Sequence, residues 1–133
     1  MYKILLVLLL VAVVGIALHA SCTSRSDKFK TVGTGEFAPL ISNPDSIQLL
    51  DVRTPSEFAQ GHIAGATLID VKDSTFMATA VKKLDTAKPV AVYCRSGRRS
   101  ARAAGMLAEQ GYKVINLDGG IIAWQEAGLP IEK

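Results

Sequence analysis

Cysteine and histidine are scarce in this chain, with two histidines and two cysteines in 133 residues. Cys22 and Cys94 stand 72 positions apart (94 − 22), and with His19 and His62 they fall at none of the spacings of a metal site. No metal and no cofactor is called for. The arginines are bunched, yet no aromatic residue stands among them, and the rest of the chain mixes charge signs freely. With a formal charge of only +3, that pattern argues against a nucleic-acid binder and for a small inorganic anion. Internal repeats and low-complexity tracts are also missing, and the length fits one domain with a modest core. The longest apolar run, Ile4 to Leu18, is too short for a comfortable membrane span.

That run belongs to a leader. Lys3 precedes it, and Leu18-His19-Ala20-Ser21-Cys22 and a polar stretch follow. The pattern resembles a bacterial lipoprotein signal, in which Cys22 is lipidated and becomes the mature N-terminus. Ala20 and Ser21 suit it, whereas His19 stands where Leu, Val or Ile is expected. Cleavage after Ala17 and an uncleaved anchor remain open as alternatives. Each reading exports the domain or tethers it to a membrane, on the periplasmic face of a bacterial cell. The resulting division is a signal peptide over 1–21, a polar tether over 22–33 and a folded domain over 34–133.

Within the domain, Thr34-Gly35-Glu36 opens a helix with Phe37, Leu40 and Ile41 at i, i+3 and i+4. Ile47 to Val52 reads as a strand buried on both faces, as in a parallel sheet. Thr54-Pro55-Ser56-Glu57 is a capping box with proline at the first helical position. Thr67 to Val71 reads as a strand, and Asp73 as the cap of a helix presenting Met77, Ala80, Val81 and Leu84. Lys113 to Leu117 is a further strand, Asp118-Gly119-Gly120 a turn, and Ile121 to Ala127 the last helix. Strands alternating with helices predict an α/β fold with a mostly parallel sheet, whose sites form at the carboxyl ends of strands.

One strand end carries the chemistry. Val90 to Tyr93 runs into Cys94, a basic loop follows, and a helix opens around Ser100. The helix N-terminus favours an anion. Arg95, Arg98, Arg99 and Arg102 add four cations within nine residues, with no carboxylate among them. Both effects favour thiolate over thiol and make Cys94 a nucleophile.

Four phrases together resemble a single-domain rhodanese, in that family's order and spacing: Asp51-Val52-Arg53-Thr54-Pro55-Ser56-Glu57-Phe58, Gly61-His62-Ile63-Ala64-Gly65-Ala66, Tyr93-Cys94-Arg95-Ser96-Gly97-Arg98-Arg99-Ser100 and Leu117-Asp118-Gly119-Gly120-Ile121-Ile122-Ala123-Trp124. The resemblance implies a sheet of about five strands with helices on both faces. It also implies a sulfurtransferase that moves sulfane sulfur from thiosulfate or a similar donor to cyanide or a thiol, through a persulfide on Cys94. A sulfur carrier or docking module, exchanging persulfide sulfur with a protein partner, is the alternative. On this reading the backbone of Arg95, Ser96, Gly97, Arg98, Arg99 and Ser100 curls toward the sulfur as an anion nest. Arg95 and Arg98 are candidates for the donor's oxyanion end. Arg53 and Glu57 are expected to pair and brace the sheet edge, and Asp51 to accept backbone hydrogen bonds. His62 and Trp124 read as packing residues. The related cysteine-dependent phosphatases carry Cys-x5-Arg, and that arginine position is Ser100 here, so the loop is sized for sulfur. If Cys22 is lipidated, Cys94 is the only free thiol in the mature chain and has no intramolecular disulfide partner.

Overall fold

The fold follows from a strand that is apolar along its whole length. A computed structural model describes residues 28–133. The expected signal peptide, the expected lipidation of Cys22 and the first half of the expected tether lie outside the described residues. The chain runs β1 (Lys30–Val32), α1 (Thr34–Leu40), β2 (Gln48–Asp51), α2 (Pro55–Gln60) and β3 (Thr67–Leu68). It continues through α3 (Phe76–Lys83), β4 (Val90–Tyr93), α4 (Arg98–Glu109), β5 (Val114–Leu117) and α5 (Gly120–Glu126). The strands form one sheet in the order β1-β5-β4-β2-β3, and every pairing is parallel.

All four residues of β4 are buried, because the strand lies mid-sheet with a hydrophobic cluster on each face. Val90 and Val92 join Leu50, Phe76, Ala80, Ala104 and Leu107 beneath α3 and α4. Ala91 and Tyr93 join Phe37, Ile63, Leu117, Ile121 and Trp124 beneath α1 and α5. Each fully buried Val or Leu contributes about 1.5–3 kcal/mol relative to exposure. Alternating side chains thus make one strand the floor of two cores. The α/β sheet with helices on both faces is the architecture the alternation predicts.

Details differ where local signals compete. Lys30–Val32, expected within the tether, is an edge strand: Val32 is 6 % exposed, and its carbonyl accepts the Asp118 N–H at 2.8 Å. β3 covers only two of the five residues predicted, since it pairs with β2 alone at the opposite edge. Leu40 (38 % exposed) and Val81 (54 %) point outward. The inward stripe of α3 and its end is Phe76, Ala80 and Leu84, spaced i, i+4 and i+8. Asp73 does not cap α3 itself, whose N-cap is Thr75. Its carboxylate accepts the Thr75 N–H and O–H, each at 2.8 Å, and shapes the preceding turn. The capping box at α2 is present in full.

Candidate active site

Cys94 lies at the carboxyl end of β4, where the chain leaves the sheet centre and turns into α4 at Arg98. Gly97 is the hinge of that turn. Its φ of +98° favours glycine, and a Cβ there would come within 3.2 Å of the Leu117 carbonyl oxygen. With the loop so curled, the Gly97 N–H donates to Sγ at 3.1 Å and the Ser100 hydroxyl donates to it at 3.3 Å. Cys94 is 1 % exposed and Ser100 fully buried. Burial pushes the thiol pKa up. The Ser100 hydroxyl and the amides of Ser100, Gly97 and Ser96 outweigh that and hold Cys94 below its ordinary value. Hydrogen bonds donated to the anion thus stabilise the thiolate.

The groups that do most to hold the pKa down are a hydroxyl and backbone amides, and the charge of the Cys94 anion also raises the Arg99 pKa, so that arginine shares in stabilising it. Arg95, Ser96, Arg98 and Arg102 are exposed. Arg99 also holds a carboxylate: its two terminal nitrogens donate to the two Glu57 oxygens at 2.7 and 2.8 Å. That bidentate pair lowers the Glu57 pKa to about 2 and raises that of Arg99. It latches the start of α4 to the first turn of α2.

The expected Arg53–Glu57 pair is therefore not made. Arg53, 4 % exposed, instead turns back on Asp51, which is fully buried. The carboxylate of Asp51 accepts the Arg53 backbone N–H at 3.0 Å and its Nη2 at 2.6 Å. Nη2 also donates to the Gly61 carbonyl at 2.7 Å. A guanidinium buried beside a carboxylate two residues away satisfies its charge there first. Asp51 does accept a backbone hydrogen bond, as the sequence suggested, and a buried cation besides. Nearby, the Tyr93 hydroxyl accepts the Ile63 N–H at 3.0 Å. Arg53 and Tyr93 together tie the 61–63 segment to the strands that carry the site.

Sequence reasoning missed a clasp on the other side of the loop. The first amides of α5 reach the backbone of the Cys94 loop: Ile121 N–H donates to the Cys94 carbonyl at 2.9 Å, and Ile122 N–H to the Arg95 carbonyl at 3.2 Å. Gly120, at φ +58°, permits that approach. A Cβ there would land on the Arg95 carbonyl and within 2.5 Å of the Cys94 oxygen. The double glycine was the available signal, read only as a turn. Asn116, 2 % exposed, also sits under the loop, with Nδ2 3.5 Å from the Gly97 carbonyl oxygen. His62 packs as expected: its ring stacks on Phe58 at 3.7 Å, and Nδ1 lies 3.0 Å from the Phe58 oxygen. Trp124 is in the core, and its Nε1 donates to the Pro130 carbonyl at 2.9 Å.

Beside the loop opens a cavity of about 470 Å³. Arg53, Glu57 and Gln60 line one side, Arg95 comes from the loop, and Ile121 and Gln125 come from α5. The arrangement is suited to nucleophilic sulfur chemistry: a cysteine sulfur that accepts hydrogen bonds from a curled loop, with an exposed guanidinium at the next residue.

Comparison with known proteins agrees with this geometry. The sequence profile of the Rhodanese-like domain matches residues 34–127. A sulfurtransferase of Allochromatium vinosum is 40% identical over 92 residues, covering 68% of this chain and 83% of its own. The thiosulfate sulfurtransferase GlpE of Shewanella oneidensis is 39% identical over 100 residues, covering 74% and 95%. Among solved structures, a rhodanese-related protein from Thermoplasma volcanium superposes with a TM-score of 0.66 at 32% identity, covering 78% of this chain and 98% of that one. With its parallel sheet, its cysteine-centred loop and these relatives, the chain belongs to the rhodanese-like family, among whose members are sulfurtransferases.

Proposed function

We propose that the chain is a sulfurtransferase that takes sulfane sulfur from thiosulfate, or a similar anionic donor, onto Cys94 and passes it to cyanide or a thiol. The observation that carries this reading is the Gly97 amide and Ser100 hydroxyl aimed at Sγ, at 3.1 and 3.3 Å. The Cys94 thiolate attacks the outer sulfur of thiosulfate. The S–S bond of the donor breaks, its electron pair leaves with sulfite, and the protein keeps a persulfide. The acceptor then attacks the outer sulfur of that persulfide, the new S–S bond breaks, and the electron pair returns to Sγ. Two half-reactions on one enzyme give ping-pong kinetics. The same amides that stabilise the thiolate serve the persulfide, since both are anions in the same nest.

The near-complete burial of Cys94 fits a donor that presents a single protruding atom. Arg98, exposed at the first turn of α4, is the guanidinium we assign to the oxyanion end of the donor. Thiocyanate formation from thiosulfate and cyanide tests the reading, with Cys94→Ser as the control. The wild type should turn over, and the variant should lose activity while its thermal melt is retained. Full activity in Cys94→Ser refutes the assignment. A wild type that shows no thiocyanate turnover from thiosulfate, yet carries one cyanide-labile sulfur atom by mass, favours the carrier alternative. The leader adds that this chemistry takes place outside the cytosol, with Cys22 lipidated at the periplasmic face of a membrane. Intact mass of the protein extracted from membranes reports both acylation and bound sulfur.

A further inference from the structure

We infer that Asn116 is a positioning residue for the sulfur: with Thr31 of β1 it holds Gly97, the residue whose amide points at Sγ. This rests on Cys94 being the sulfur carrier proposed above, and names what fixes its loop from beneath.

Asn116 stands where the sheet calls for an apolar side chain. It lies within β5, in register with Val92 of β4 on one side and Thr31 of β1 on the other. Val92 and Val114, the latter two residues back on the same face of β5, both belong to the core beneath α3 and α4. Asparagine is disfavoured in strands, yet this one is 2 % exposed. A backbone carbonyl only accepts, so the nitrogen end of the amide faces the Gly97 oxygen, at 3.5 Å. That orientation leaves Oδ1 buried with no hydrogen-bond partner among the described residues. A buried unpaired acceptor costs stability, and an apolar side chain of the same shape would avoid the cost. Stability of the sheet therefore does not account for the amide. A side chain that breaks its local rule in this way marks a position kept for function.

The function lies across the contact. The Gly97 N–H donates to Sγ at 3.1 Å, and the Gly97 carbonyl accepts the Ala101 N–H at 3.1 Å, the bond that opens α4. Being glycine, the residue has the freest backbone of the loop. A second donor on its carbonyl fixes its orientation, and with it the aim of its N–H. Nδ2 carries two hydrogens, and Thr31 Oγ1, also 3.5 Å away, accepts the other. Both contacts are long for N–H···O bonds, so the two together hold the amide. Thr31, Asn116, Gly97 and Sγ thus form one chain of contacts from the sheet edge to the sulfur.

The test labels the full chain with iodoacetamide across pH and reads the Cys94 peptide by mass, in the wild type, Asn116→Leu and Thr31→Val. Asn116→Leu keeps the branching of the side chain and removes the orphaned oxygen, so its thermal melt should match or exceed that of the wild type. Its labelling midpoint should nevertheless rise by about half a pH unit, which makes labelling near neutral pH about threefold slower. Thiocyanate production should fall with it. Thr31 is exposed and valine suits a strand, so Thr31→Val should fold and move the midpoint the same way, to a smaller extent. A folded Asn116→Leu whose midpoint stays in place overturns the assignment, whatever its activity. If Asn116→Leu does not fold, Thr31→Val decides, and an unmoved midpoint there overturns it as well. Labelling consumes no sulfur donor. A wild type that makes neither thiocyanate nor persulfide therefore defeats the proposed function and not the role of Asn116, and the two failures are told apart.

Discussion

At the sulfur, burial and hydrogen bonding oppose each other, and the balance sets the working pH of the site. Burial favours the neutral thiol, while the Ser100 hydroxyl is the largest of the groups that favour the thiolate. A lowered folded-state pKa means that the anion persists above that pKa and is lost as pH falls through it. Removing the hydroxyl should move that window upward. For Ser100→Ala we expect the midpoint of iodoacetamide labelling to shift toward the free-cysteine value, about 8.5. Labelling near neutral pH should be several-fold slower, on the order of the tenfold that one pKa unit allows, and the two proteins should converge in alkaline solution. An unmoved midpoint would remove Ser100 from the activating shell. At this scale the sequence was most legible where partners are neighbours: Cys94, its loop and the Thr54–Glu57 capping box. It was least legible for the charges. Arg99 looks free in the sequence, because the carboxylate that claims it lies 42 positions away. Arg53 and Glu57 look like partners only until Asp51 and Arg99 reach them first.

Among the elements, the site depends on two helix starts meeting at one strand end: α4 supplies amides to the sulfur, and α5 holds the carbonyls behind it. The sequence marks both helices, but nothing in it says that the first turn of α5 abuts the loop after β4. The Gly119-Gly120 pair carried that information in a form indistinguishable from a turn. Gly120 and Gly128 separate the two costs of replacing such a glycine. Both have positive φ, +58° and +75°, but a Cβ on Gly128 meets nothing within 4 Å. Gly128→Ala should therefore lose only the conformational term, about 1–2 kcal/mol, and keep its activity. Gly120→Ala carries the same term and also drives a methyl group into the catalytic backbone, which must shift. Its thiocyanate production should fall at least about tenfold, the effect of a misplaced loop. Urea melts and initial rates on the pair check this. Equal activity in the two variants would show that the clasp does not position Cys94. The Glu57–Arg99 latch, in contrast, is insensitive to pH across the neutral range. Its stability is present above the ordinary carboxylate pKa and is lost only as pH falls toward about 2.

For the molecule as a whole, the question is where the folded unit begins. Composition drew the boundary at Thr34, because Thr31-Val32-Gly33 is too short a stretch to announce a strand and follows a charged segment. The family profile also starts at residue 34. The sheet nevertheless extends to Lys30, and that strand is what closes the β5 edge. Without it, β5 would present an unpaired ladder to solvent, with the aggregation hazard of any bare edge. Leu117 would lose its cover, and the Asp118 N–H would lose the Val32 carbonyl. Because β5 feeds directly into Gly119 and Gly120, loosening that edge also loosens the clasp on Cys94. We therefore expect a chain starting at residue 34 to be less stable than one starting at residue 28. The deficit should be at least the burial of one valine, about 1.5–3 kcal/mol, with lower thiocyanate production and a greater tendency to self-associate. Denaturant midpoints and light scattering on the two chains decide the matter. Coincident midpoints would mean that β1 decorates the sheet edge without supporting it, and that the influence of the edge strand on the distant sulfur is absent.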